Sequence, residues 1–165
     1  MTLVVDHTER LKAIDPEESF IVSAPAGSGK TGLITQRILC LLGTVNHPEE
    51  ILSITFTRKA AAEMAARVHS ALQTAANEPR PENQYEAQTW DFAQKALQQD
   101  QNLNWNLLDM PNRLRIQTID SFCRYIARQF SLETKLGDLS EPSDQPEVHY
   151  QSASRSLLQK LETDD

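Results

Sequence analysis

The stretch that decides the fold is Phe20-Ile21-Val22-Ser23-Ala24-Pro25-Ala26-Gly27-Ser28-Gly29-Lys30-Thr31. A short apolar run ends in small residues, and Leu33, Ile34, Ile38, Leu41 and Leu42 follow at helical spacing. The order predicted is a strand over 20–22, a loop, then a helix. A loop of this composition suits phosphate. Several backbone N–H groups must converge on a triphosphate, which asks for left-handed backbone with no Cβ in the way, and Gly27 and Gly29 supply both. Lys30 would reach the outer phosphates, and Thr31 would hold Mg2+ through its hydroxyl. The following helix would present its positive N-terminus. The candidate nucleotide-binding set is therefore Ala24, Pro25, Ala26, Gly27, Ser28, Gly29, Lys30 and Thr31, with Lys30 and Thr31 as candidate catalytic residues. Ala24 stands where such loops usually begin with glycine.

Outward from this loop the pattern alternates. Gly43 stops the helix and His47-Pro48-Glu49-Glu50 reads as a connection. Ile51-Leu52-Ser53-Ile54-Thr55-Phe56 is rich in β-branched and aromatic residues, as a buried strand requires. From Ala60 to Leu72 strong helix formers place Ala61, Met64, Val68 and Leu72 on one face. Asn77 to Asn83 is a loop with two prolines. Ala87, Trp90, Ala93 and Leu97 then mark a helix, and Gln98 to Asn104 is a polar stretch. Arg113 to Thr118 predicts a short strand. Ile119, Phe122, Cys123, Ile126, Ala127 and Phe130 predict a strongly amphipathic helix. Residues 137–149 read as a linker, and Ala153, Leu157, Leu158 and Leu161 as a last short helix. Strand–helix alternation of this kind is the signature of a parallel α/β sheet.

Composition bounds the class. The chain has 165 residues with 16 Lys+Arg against 23 Asp+Glu, a net charge of −7, which argues against coating nucleic acid by bulk charge. Apolar residues make up 39%, somewhat below the ordinary globular share, so part of the chain is expected to be loop. Cys40 and Cys123 have no metal-ligand spacing and read as two buried thiols. Residues 1–20 lack the apolar core of a secretory signal, and no run approaches the ~18 apolar residues of a membrane span. The expectation is a soluble cytoplasmic protein with no membrane partner.

A second string, Ser53-Ile54-Thr55-Phe56-Thr57-Arg58-Lys59-Ala60-Ala61-Ala62-Glu63-Met64, delivers two threonines, an aromatic and two cations to a helix start. Hydroxyls and helix-start N–H groups bind phosphate oxygens, and Phe56 could support a base. By its residues alone the string fits better a strand-to-helix turn in which Thr57 caps the helix, Arg58-Lys59 is solvated and Phe56 packs in the core. Charge is local: residues 51–72 carry Arg58, Lys59 and Arg67 against Glu63, net +2. Residues 112–130 carry four arginines against Asp120, net +3, whereas residues 131–165 carry three cations against eight carboxylates, net −5. The acidity is concentrated at the C-terminal end.

Joined to the phosphate loop, this string resembles motif Ia of the superfamily 1 helicases of the UvrD/Rep type. Arg115-Ile116-Gln117-Thr118-Ile119-Asp120-Ser121-Phe122-Cys123 resembles the next motif of that family. The wording around the loop is most similar to the helicase–exonuclease branch, the RecB/AddA-like subunits. The resemblance spans residues 20–131 and implies a RecA-like P-loop domain that binds ATP and Mg2+, grips single-stranded DNA and moves 3′ to 5′. Carried over residue by residue, it places Thr55, Phe56, Thr57 and Arg58, then Thr118, Ser121 and Phe122, along the DNA strand. It also implies the remainder of a helicase, or a partner subunit, as partner. Two positions depart from the pattern. The family's adenine-reading Gln has no counterpart around Asp6 to Lys12, where Glu9 and Arg10 stand, and Asp120 replaces a His before the Ser-Phe pair.

The resemblance divides the chain into residues 1–131, the N-terminal part of an incomplete RecA-like ATP-binding domain (1A) with a helical insert near 77–111, and residues 132–165, a linker and the start of helical subdomain 1B. An Asp-Glu site for Mg2+ and water is expected after an apolar strand. Asp120 and Asp109 are the nearest candidates, and the run before each is too short or too polar; Asp120 reads as a residue of a helix N-cap region. The expectation is an N-terminal segment that contacts ATP and DNA but does not by itself hydrolyse or unwind. With about three strands and an open sheet edge, it is expected to be marginally stable alone. Two other readings stay open: a small P-loop kinase acting on a metabolite, and a non-catalytic nucleotide-binding module.

Overall fold

A computed structural model describes residues 7–25, 27–130 and 146–163. Its helices are α1 (His7–Ile14), α2 (Lys30–Leu42), α3 (Arg58–Asn77), α4 (Gln84–Leu103), α5 (Ile119–Gln129) and α6 (Pro146–Thr163); its strands are β1 (Leu52–Thr55) and β2 (Arg115–Thr118). Two compact units divide the chain, residues 1–123 and residues 124–165. The second holds the last turns of α5 and the whole of α6.

In the first unit β1 and β2 pair in parallel, with Leu52 opposite Arg115, Ser53 opposite Ile116, Ile54 opposite Gln117 and Thr55 opposite Thr118. Parallel neighbours need a long crossover, and α3 and α4 provide it. The helix starts are set by short polar side chains. Thr57 Oγ1 accepts from the Ala60 N–H at 3.1 Å, and Asn83 Oδ1 accepts from Tyr85 N–H at 2.9 Å and Glu86 N–H at 3.3 Å. The helix over 33–42, the α3 face of Ala61, Val68 and Leu72 and the short strand at 115–118 stand where the sequence placed them; the strand at 52–55 does too, but it is not buried, with Leu52 37% and Ile54 45% exposed.

The core lies between α2, α3 and α4. Leu39 and Leu42 meet Val68 and Leu72 together with Ala93, Ala96 and Leu97, and Trp105 and Leu107 close one end. Leu39, Leu42, Leu72, Leu107 and Val68 are fully buried. Each such side chain contributes roughly 1.5–3 kcal/mol relative to exposure, while a hydrogen bond adds about 1 kcal/mol net. The helical layer, rather than the four-pair ladder, therefore holds the unit together.

Several expectations are corrected. Phe20–Val22 is not a strand: Ile21 is fully exposed, and the described strands pair only with each other. An apolar run becomes a strand only where a neighbouring strand takes its N–H and C=O groups. This run is instead strung along α2, where Arg37 donates to the carbonyls of Ala13, Asp15 and Glu18 and lies 5.6 Å from the Phe20 ring centroid. The described sheet thus has two strands, not three. Helix α4 continues through the polar stretch to Leu103, because Asp100 and Gln99 use their side chains as tertiary ties, to the Leu107 N–H and the Val45 carbonyl. Helix α1 was not anticipated. The predicted linker at 137–149 is helical from Pro146, and the rest of it lies outside the described residues. Neither cysteine is buried: Cys40 is half-buried, its thiol pushed up by desolvation, and Cys123 is exposed.

Candidate functional site

The phosphate-loop candidate is built where the chain leaves its extended run and winds into α2. Gly27 has φ 77° and Gly29 φ 82°, the left-handed region that glycine adopts without cost. Gly29 is the N-cap of α2, and its carbonyl accepts from the Leu33 N–H at 3.1 Å. A Cβ placed on Gly27 would meet nothing within 4 Å among the described residues, so the loop is open to them on that side. Lys30 Nζ donates to the carbonyls of Ala24 and Pro25, both at 2.5 Å, which folds the loop back over the side chain. Ser28 Oγ is buried with no hydrogen-bond partner among the described residues. Thr31 is exposed on the first turn, and its carbonyl accepts from Thr35 Oγ1 at 2.9 Å. Ala26 lies outside the described residues.

Two features here were missed by the sequence reading. Arg10, on α1, donates through Nη2 to the Ser28 carbonyl at 2.6 Å and stands 3.4 Å from where a Gly29 Cβ would be. A cavity of about 440 Å³ opens beside the loop, lined by Arg10, Phe20, Val22, Ala24, Lys30 and Leu33. On α1, Ala13 and Ile14 are buried against Leu33. Further along α2, buried Gln36 donates to Thr89 Oγ1 at 2.9 Å and to the Tyr85 carbonyl at 3.4 Å.

The second cluster forms at the carboxyl ends of the two strands. Thr55 and Thr118 are register partners, so the strings after them leave from adjacent points. Phe56 is 88% exposed and does not pack in the core. Thr57 caps α3, while Arg58 and Lys59 are exposed at its start. Thr118 is buried; its Oγ1 lies 2.9 Å from Ser121 Oγ and accepts from the Ser121 N–H at 3.2 Å, so it caps α5. Ser121 is exposed and Phe122 half-buried. The arrangement offers an aromatic face, hydroxyls, cations and two helix N-termini on one rim of the sheet. Asp120 is exposed in the first turn of α5 and Asp109 in the turn before β2. No group of three or more His, Cys, Asp or Glu that could hold a metal exists among the described residues, and no described helix is long and apolar enough to cross a membrane.

Comparison with known proteins gives the family. Residues 6–164 match the UvrD/REP helicase N-terminal domain. Bacterial proteins named as subunits of an ATP-dependent helicase/nuclease are similar: that of Clostridioides difficile is 35% identical over 119 residues, 70% of this chain and 8% of that protein. That of Lactobacillus acidophilus is 32% identical over 129 residues, 78% of this chain and 9% of that protein. That of Desulforamulus reducens is 31% identical over 144 residues, 85% of this chain and 10% of that protein. The chain thus spans a tenth or less of the length of these relatives. No solved structure matches it. With a domain match over nearly its whole length, this chain belongs to the UvrD/REP helicase N-terminal domain family.

Proposed function

We propose that this chain is the ATP-binding and single-strand-contacting N-terminal segment of an ATP-dependent DNA helicase, of the helicase–nuclease kind, moving 3′ to 5′ in the cytoplasm. Residues 1–131 would form the first part of its RecA-like domain, with the 77–111 insert, and residues 132–165 the approach to a helical subdomain. The observation that carries the reading is the parallel register of Thr55 and Thr118. It brings two motif strings, remote in sequence and both locally basic, to one rim.

The phosphate loop fits a nucleoside triphosphate with Mg2+. Its two glycines are left-handed, and among the described residues one side is open and a buried hydroxyl in it lacks a partner. Ala24 to Thr31 would wrap the phosphates, Lys30 would exchange its carbonyl partners for phosphate oxygens, and Thr31 would offer its hydroxyl to the metal. Bound ATP supplies the free energy of phosphoanhydride cleavage. After the two described strands stand Phe56 and Ile119, and Asp120, next in line, is exposed in the first turn of α5. The segment therefore binds nucleotide without orienting the attacking water, and needs a further part of the helicase, or a partner subunit, for turnover.

On the DNA side, Phe56 would stack a base, a contact of roughly 1–3 kcal/mol. Arg58 and the N-terminus of α3 would take phosphate, with Thr55, Thr57, Ser121 and Phe122 lining the path. Thr118 would act by holding Ser121 in place.

The test is binding by the full chain of a fluorescent ATP analogue and of a labelled oligothymidine. Lys30→Ala should weaken the nucleotide at least about tenfold and leave the oligonucleotide unchanged; Phe56→Ala should do the reverse. Phosphoryl transfer to a small metabolite without oligonucleotide binding would sink the helicase reading. A DNA-stimulated ATPase of this chain, abolished in Lys30→Ala, would sink its incompleteness.

A further inference from the structure

Gly32 has no role in the loop's own backbone. Only Gly27 and Gly29 take positive φ among the described glycines. A glycine inside a helix costs about 1 kcal/mol relative to alanine, so its presence in the first turn of α2 asks for a cause. A side chain approaches it closely. A Cβ on Gly32 would lie 2.3 Å from Tyr85 Oη and 3.2 Å from its Cζ.

Tyr85 comes from far along the chain, at the start of α4, and its backbone is held twice over. Asn83 Oδ1 accepts its N–H at 2.9 Å, and its carbonyl accepts from Thr89 Oγ1 at 2.9 Å and from Gln36 Nε2 at 3.4 Å. Gln36 stands one turn beyond Gly32 on the same helix and is buried. The start of α4 is thus fastened to α2, with the phenol resting on the residue that follows Lys30 and Thr31. The ring is 47% exposed and borders a cavity of about 620 Å³ whose lining includes Gly32, Thr35, Arg67 and Trp90, so it has space to swing away.

We propose that Tyr85 is a positioning residue for the phosphate loop. Its ring, seated on Gly32, fixes the first turn of α2 and with it the place of the Thr31 hydroxyl. The α3–α4 segment is thereby linked to metal-dependent nucleotide affinity. The proposal rests on the nucleotide reading above and extends it to a residue outside the three motifs.

The experiment compares Tyr85→Ala, Gly32→Ala and the double variant in the full chain, reading the affinity of a fluorescent ATP analogue with Mg2+ and with EDTA. Each single substitution should weaken the Mg2+-dependent affinity about tenfold and the affinity in EDTA less than about twofold, because the displaced group is a metal ligand. The double variant should be no weaker than either single one, since each removes the same contact. Equal losses with and without Mg2+, multiplicative losses in the double variant, or no loss at all would overturn the proposal. Hydrogen exchange of residues 30–36 is read in parallel. If the unsubstituted chain fails to bind the analogue, the nucleotide reading falls, and exchange alone decides the positioning role. Faster exchange in Tyr85→Ala would uphold that role, and unchanged exchange would end it.

Discussion

Arg113 holds Glu49 in a two-pronged grip, Nε to Oε1 at 2.7 Å and Nη2 to Oε2 at 3.1 Å. The two residues sit in the short 3-10 turns Pro48–Glu50 and Pro111–Arg113, just ahead of β1 and β2. Arg113 also donates to the Trp105 carbonyl at 2.9 Å. The grip therefore sets where the strands begin, and so which threonines end up side by side.

That grip makes stability depend on pH. The hydrogen bond from Arg113 holds the Glu49 carboxyl below its ordinary 4.5, against the opposing pull of burial. A depressed carboxylate contributes stability above its unfolded pKa and loses it as pH falls through the folded value. The side chains are 41% and 24% exposed, so solvent screening keeps the contribution to about 1 kcal/mol or less. Melting temperature should fall below about pH 4.5, and Glu49→Gln should flatten part of that fall. Superimposable pH profiles for the two proteins would show that the pair contributes nothing.

Arg10 tethers the glycine loop ahead of α2 from outside, through its bond to the Ser28 carbonyl. A charged donor to a carbonyl contributes about 1.5 kcal/mol when partly shielded, or roughly tenfold in an equilibrium constant. Arg10→Ala should raise the exchange rate of the amides from Gly27 to Lys30 by that order and weaken nucleotide binding. Arg10→Lys keeps the charge and can donate to the single carbonyl, and should restore part of the loss. Exchange rates equal to those of the unsubstituted chain would remove Arg10 from the site.

The sequence made the glycine turn ahead of α2, the two strand-to-helix turns and the α3 face legible because each is local. Thr57 caps a helix that begins beside it, and Ala61, Val68 and Leu72 share a stripe at helical spacing. What stayed hidden depends on distant partners. Arg10 and Ser28 are 18 residues apart and Gln36 and Thr89 are 53 apart, and no pattern within a window joins them. The polar end of α4 read as loop because Gln99 and Asp100 look solvated until Val45 and Leu107 arrive. Phe20–Val22 misled for the converse reason: its composition fits a strand, but a strand exists only with a neighbour.

Thr118 and Phe56 separate two roles that the motifs merge. Thr118 is buried with its hydroxyl engaged by Ser121, whereas Phe56 is almost fully exposed. Thr118→Val keeps the shape and removes the cap, which costs about 1 kcal/mol. It should lower the denaturation midpoint while reducing oligonucleotide affinity only about twofold. Phe56→Ala should leave the midpoint unchanged and weaken the oligonucleotide by the stacking energy, about tenfold. Equal effects of the two variants on binding, measured by anisotropy, would place Thr118 in direct contact with DNA.

Trp105 joins the helical layer to the turns before both strands. It is 2% exposed, and Asn104 and Asn106 on either side take φ 54° and 60°, turning the chain so that the indole enters the core. Its Nε1 donates to the Asn46 carbonyl at 3.0 Å, and its own carbonyl accepts from Arg113. Trp105→Ala empties a large site at a cost of about 3–5 kcal/mol, a large fraction of the roughly 5–15 kcal/mol stability of a domain. Trp105→Phe keeps most of the apolar volume but orphans the Asn46 carbonyl, at about 1–2 kcal/mol. Urea denaturation followed by far-UV ellipticity should show the alanine variant unfolded or nearly so, and the phenylalanine variant shifted but cooperative. If the indole acts only by filling space, the phenylalanine variant will match the unsubstituted chain. If its bond to Asn46 fixes the turn before β1, Asn46 and the Glu49–Arg113 pair will exchange or titrate differently in that variant.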